Sequence, residues 1–144
     1  MNEVETKVRE VLAALPSLFL ATTSGDEPWV AGGFFAESDP FTLVMVLESS
    51  GTTLRNIKAN PRVSVVVSSG DPFIAFLQGS ADVSLVTEAS EVQAAKAALL
   101  AKAPQIEPFL AAPLEAVRLH VRCWRATDVP NGWLPGKTLE APPA

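Results

Sequence analysis

The chain is written as short apolar, β-branched segments cut by turn clusters. Residues 18–23 are followed by Ser24-Gly25-Asp26-Glu27, residues 29–36 by Ser38-Asp39-Pro40, and residues 62–69 by Gly70-Asp71-Pro72. Segments of this length between Gly, Pro, Asp and Ser read as strands, and the close spacing of the first two reads as a hairpin. Residues 41–47 form a continuous apolar run, as expected of a strand buried on both faces. Residues 73–86 and 115–126 are longer and alternate. In the last of these Val117, Leu119, Val121 and Cys123 are predicted to face one way and Arg118, His120, Arg122 and Trp124 the other. Gly32-Gly33 inside the second strand predicts a bulge or a close approach by another group.

Three segments break the strand pattern. Residues 2–15 put Val4, Val8, Val11, Leu12 and Leu15 on one helical stripe that Pro16 ends. Residues 54–59 form a short helix that several hydroxyls stand ready to cap and that Asn60-Pro61 stops. Ser90 and Gln93 have capping-box spacing, so a helix is expected from there to about Lys102. The count is about six strands and three helices, and the strands outnumber what one small helical layer covers. A mainly β, six-stranded antiparallel barrel with flanking helices is therefore expected, because closure removes exposed edges. Residues 1–129 form the domain in this reading. Pro130, Pro135, Pro142 and Pro143 mark residues 130–144 as an extended or partly disordered tail.

Composition bounds the function. Forty-eight per cent of residues are hydrophobic, enough for a packed core. A net charge of −5 argues against nucleic acid and against an anionic membrane surface as partners. One cysteine, Cys123, excludes an intramolecular disulfide and suits a reducing compartment, and one histidine leaves no Cys/His zinc set. No apolar stretch reaches the length of a membrane span, so a cytoplasmic location is expected.

Two places are candidates for chemistry. Residues 49–56 lead from an apolar strand into a helix N-terminus, where free N–H groups and the helix dipole favour an anion. Ser50, Thr52 and Thr53 add hydroxyls there and Arg55 a charge; ordinary capping explains the same residues. The second place is the polar face of the last strand. Trp124 sits poorly on an open face, so a ligand or a partner chain is expected to cover it. His120 is the single candidate imidazole base, and no nucleophile elbow accompanies it. No dinucleotide-binding or P-loop glycine pattern is present.

The stretches Phe41-Thr-Leu-Val-Met-Val-Leu, Ser50-Gly-Thr-Thr-Leu-Arg55-Asn-Ile-Lys-Ala-Asn60-Pro61-Arg62-Val63-Ser64-Val65 and Gln78-Gly79-Ser80-Ala81-Asp82-Val83 resemble the pyridoxamine 5′-phosphate oxidase-like FMN-binding split barrels. The likeness extends over roughly residues 15–127. It implies a six-stranded split barrel, a homodimer, and FMN in a groove between subunits. By position it assigns Ser50, Gly51, Thr52 and Thr53 to the phosphate loop and Trp124 to the isoalloxazine. It further implies a flavin-dependent oxidoreductase whose substrate is unknown.

The chain departs from that pattern where charge is expected. Thr52-Thr53 stands in place of a basic pair, and Ala31 and Ala36 in place of further basic residues. Each lost charge-assisted contact to a phosphate weakens binding by about 1.5–3 kcal/mol. Arg55, Arg62 or Arg122, from either subunit, is a candidate to compensate. The basic residues for a second phosphate are missing, which argues against a true pyridoxamine phosphate oxidase. The alternatives are a cofactor-free or degenerate dimeric ligand-binding or structural protein and a reductase using the deazaflavin F420. A haem protein would have only His120 as an imidazole ligand.

Overall fold

The N-terminal stripe forms helix α1 (Glu3–Ala14), capped by Asn2, whose Oδ1 accepts from Glu5 N at 2.7 Å. Strands β1 (Ser17–Ser24) and β2 (Glu27–Phe34) follow as a hairpin, then β3 (Ala36–Asp39) and β4 (Thr42–Glu48). Helix α2 (Thr52–Ala59) leads into β5 (Arg62–Val67) and β6 (Phe76–Val86). Helix α3 (Ala89–Lys102), a 3-10 segment (Pro104–Ala111), the long β7 (Leu114–Asp128) and β8 (Trp133–Glu140) complete the chain. This computed structural model describes residues 2–143.

All pairings are antiparallel, in the order β2-β1-β5-β6-β7-β4-β3, with β8 also on β7. β7 pairs with β6 along most of its length. On its other side it pairs first with β4, up to His120, and then with β8 from Cys123 onward. β2 and β3 are neighbours in sequence yet stand at opposite ends of the strand order, so the sheet curls into a barrel that stays split between them. At the foot of the split, a Cβ on Gly33 would lie 2.8 Å from Met45 Cε. Gly33 thus marks a close approach of β2 to β4, while Gly32 faces Phe19 at ordinary contact distance.

The mainly β split barrel with flanking helices is the expected fold class, with eight strands among the described residues. The two additions have separate origins. The expected second strand breaks at Phe35, giving β2 and β3, and the proline-rich tail enters the sheet as β8. Trp133 is buried there between the cations of Lys7 and Lys137, 5.4 and 4.3 Å from its ring centre. The strand expected at residue 73 begins at Phe76, leaving Phe73 and Ile74 exposed in the preceding loop. Two capping expectations also fail. α3 starts from Glu88 with no side-chain cap, and Ser90 Oγ bonds Glu88 Oε1 rather than the backbone. α2 starts one residue after Gly51, which has no side chain to cap with.

The barrel core is built from the inward residues of each strand, among them Leu18, Leu20, Leu43, Met45, Val65, Leu77, Val117 and Leu119. α1 closes the core with Val8, Val11 and Leu12, and α2 with Leu54 and Ile57. α3 and the 3-10 segment pack outside, where Leu99 and Ile106 meet Ala36 and the second face of β4 through Val44 and Val46. β4 is therefore covered on both faces, as its unbroken apolar run requires.

Candidate functional site

The split in the barrel is the candidate site. One wall is the inner face of β2, where Trp29, Ala31 and Gly33 follow one another at a period of two. The other wall is the end of β4, Val46 to Glu48. The first turn of α2 and the side chains of Ile106, Phe109 and Leu114 close the ends. The groove holds about 390 Å³, and its lining is mainly apolar. Phe34 and Phe109 meet at its rim with ring centres 6.3 Å apart.

Polar contacts fix α2 against the hairpin. Asn56 Nδ2 donates to Thr22 Oγ1 at 3.1 Å in the buried interior, and Asn60 Nδ2 donates to Thr23 Oγ1 at 3.0 Å. The indole of Trp29 donates to Thr53 Oγ1 at 3.1 Å. The helix start is thereby aimed into the groove. The N–H groups of Thr52, Thr53 and Leu54 have no intrahelical acceptor, because the first turn never does. Gly51 leaves them uncapped, and the dipole adds positive potential there.

Of the predicted site residues, Gly51, Thr52 and Thr53 line this groove. Ser50 lies beside it, in a shallower cleft of about 210 Å³ with Ser49, Arg55 and Lys58; Gly51 and Leu54 line both spaces. Arg55 Nη2 lies 3.5 Å from Thr52 Oγ1. Lys58 is paired with Glu115 at 3.4 Å. The groove itself is lined by a single charged residue, Glu48.

Trp124 is the exception. It is fully buried in the barrel core, and its indole N–H donates to the backbone oxygen of Pro40 at 2.6 Å. The placement on the polar face with Arg118, His120 and Arg122 is corrected by a β-bulge. Ser80 pairs with Cys123 and the next residue, Ala81, with Val121, so Arg122 is an extra residue in β7. The alternation shifts by one there, and Trp124 and Ala126 join Val117, Leu119 and Val121 inside. Gly79, directly opposite, makes room for the ring, since a Cβ on it would lie 2.6 Å from Trp124 Cζ3. Trp124 is a core residue and reaches no groove.

Sequence reasoning missed the wall residues. The tryptophan that lines the groove is Trp29 rather than Trp124, with Phe34, Glu48 and Phe109 beside it. The available signal was Trp29 followed at a period of two by Ala31 and Gly33, an aromatic beside small residues on one strand face.

His120 lies elsewhere, in an open cleft with Glu5, Asp39, Asp82 and Arg122. Its Nε2 is 3.2 Å from Ser84 Oγ. The groups with displaced ionisation also lie outside the groove. A hydrogen bond from Lys7, with one from Asn131, holds the Asp128 carboxyl below its usual range. Burial lowers Lys102, against the opposing pull of Glu37. Among the described residues no cluster of His, Cys, Asp and Glu fits a metal ion, and no helix is long and apolar enough to cross a membrane.

The pyridoxamine 5′-phosphate oxidase family model matches residues 4–128, and the chain belongs to that family. Solved structures agree on the fold. A heme binding protein from Mycobacterium smegmatis superposes with a TM-score of 0.80 at 18% identity, over 97% of this chain and 59% of that one. General Stress Protein 26 from Bacillus anthracis gives 0.76 at 14% identity, over 97% of this chain and all of that one (100%). A NimC/NimA family protein from Clostridium acetobutylicum gives 0.70 at 15% identity, over 96% and 94%. No curated protein matches the sequence.

Proposed function

We propose that this chain is the subunit of a homodimeric flavin-binding protein that holds FMN in the groove between β2 and α2 and serves as a flavin-dependent oxidoreductase. The observation that carries this reading is an apolar slot, walled by Trp29, that ends at the uncapped start of α2. A planar ring suits the slot. The unpaired N–H groups and the hydroxyl of Thr52 suit a phosphate. Bound flavin supplies the electron or hydride transfer, and the protein supplies position and exclusion of water. The groove needs no side-chain acid or base for that, and it offers none besides Glu48.

The dimer reading rests on the outer face of the hairpin. Phe19 is 52% exposed and Val30 64%, both pointing away from the core residues Leu18 and Leu20. An apolar patch of this kind favours a second copy as its cover. One observation favours the rival reading of a dimer that has lost its cofactor: no Lys or Arg lines the groove itself. The same shortage weighs against F420, which is also anionic.

The test is to mix purified protein with FMN, pass it through gel filtration, and record the visible spectrum of the protein peak. Retained flavin bands support the reading. A colourless peak overturns it in favour of the cofactor-free dimer.

A further inference from the structure

Two aromatic rings of the groove stand open, and its lining carries one charge. Trp29, on the β2 wall, is 47% exposed. Phe109 is 60% exposed, with Phe34 as its aromatic neighbour. It stands on the 3-10 segment, which the buried Ile106 ties to Leu99 of α3 and Ala36 of β3. A large ring left open on a concave apolar surface is a place for a ligand ring, because stacking and burial both favour its cover.

The one charge is Glu48, at the end of β4, opposite Leu114 in the register with β7. It is exposed and pairs with no cation among the described residues. No Lys or Arg lines the groove. Arg62 and Arg122 turn to Asp82, at 3.8 and 3.2 Å, and Lys58 turns to Glu115 at 3.4 Å. Arg55 lines the adjoining cleft. A carboxylate without a partner, beside open aromatic faces, attracts a cation through its charge and through the ring quadrupoles, and it repels an anion. The phosphate of a flavin has its own donors at the start of α2. A second ligand finds no such donors, since the Thr53 hydroxyl is engaged by Trp29 and the remaining lining is apolar apart from Glu48.

We infer that the substrate of this groove is an aromatic cation, a flat ring bearing an ammonium group, with Phe109 covering the ring and Glu48 opposing the charge. The inference rests on the flavin reading and adds the substrate class to it. Phe109 and Glu48 are its specificity-determining residues: the first selects a ring, and the second selects the sign of its charge.

The test uses benzylamine, benzyl alcohol and benzoate, which share one ring and at neutral pH are cationic, neutral and anionic. FMN-loaded wild type, Glu48→Gln, Phe109→Ala and Glu107→Gln are titrated with each at equal flavin loading, and the visible flavin spectrum is followed. Wild type should bind benzylamine about five-fold more tightly than benzyl alcohol, the upper end for an ion pair open to water, and benzoate more weakly than either. Glu48→Gln should bring benzylamine within about two-fold of the alcohol. Phe109→Ala should weaken benzylamine and the alcohol alike, by about five-fold. Glu107 lies on the 3-10 segment outside the groove lining, so Glu107→Gln removes the same charge nearby and should change nothing. Glu48 and Phe109 are exposed, so their variants should melt like wild type, and thermal melts check this. Benzoate bound as tightly as benzylamine, an amine preference that survives Glu48→Gln, unchanged affinities in Phe109→Ala, or no spectral change with any of the three overturns the inference and leaves the flavin reading standing. A wild type that retains no FMN on loading overturns both, before any of the three ligands is added.

Discussion

The indole nitrogen of Trp29 lies 3.1 Å from Thr53 Oγ1, and this single bond latches the β1–β2 hairpin to the first turn of α2. It joins the β2 wall of the groove to the helix start that closes one end. Thr53 is 9% exposed, so the bond is largely shielded from water. Replacing Trp29 by Phe keeps an aromatic wall and removes the donor. Stability should fall by about 1 kcal/mol, the net worth of such a bond, and urea unfolding midpoints measure it. An unchanged midpoint would show that this bond adds nothing to the Asn56–Thr22 and Asn60–Thr23 contacts and the packing that already hold the hairpin to α2.

The pairing of Gly79 with Trp124 makes a second, independent prediction. A methyl on Gly79 would stand 2.6 and 2.7 Å from ring carbons and 3.1 Å from Val65 Cγ2. The indole cannot yield, because it is fully buried and its N–H is tied to Pro40. Gly79→Ala should destabilise the barrel by about 1–3 kcal/mol through overpacking. A thermal melt indistinguishable from wild type would contradict the tight fit of ring against glycine.

How much of this was legible in the sequence follows from the same residues. Hairpins, helices and the split-barrel frame can be read locally, since apolar period and turn residues set them. The side of β7 on which Trp124 emerges is set by a bulge at Arg122, and nothing within the strand's own alternation announces it. The tail's prolines left an extended arm and disorder both open; the edge of β7 beyond β4 gives it a place to pair, and Lys7 and Lys137 hold its Trp133. The helix start with Thr52 and Thr53 was legible as a candidate anion site, and the structure lines the groove with both residues. The apolar groove was not, because its walls come from β2, β4 and the 3-10 segment, far apart in sequence.

The terminal clamp predicts a pH response. Lys7 Nζ lies 2.6 Å from Asp128 Oδ2, and Asn131 Nδ2 lies 2.8 Å from the same oxygen. These donors lower the carboxyl's pKa in the folded state from its ordinary 3.8. The stabilisation is thus fully present above about pH 4 and is lost as pH falls through the folded value. Asp128→Asn should be less stable than wild type at neutral pH and should lose stability less steeply in acid. Urea midpoints across the acid range test this, and parallel curves for the two proteins would refute it.

The central claim is that the groove between β2 and α2 holds the flavin. Ala31 lies on the groove wall between Trp29 and Gly33, so Ala31→Trp fills the slot from a position outside the barrel core. The direct measurement is flavin retained per chain, by absorption after equilibration with FMN and gel filtration, for wild type and Ala31→Trp, with thermal melts confirming that both are folded. The account predicts about one flavin per chain in wild type and none in the variant. Equal retention in the two proteins, or none in wild type, would contradict it.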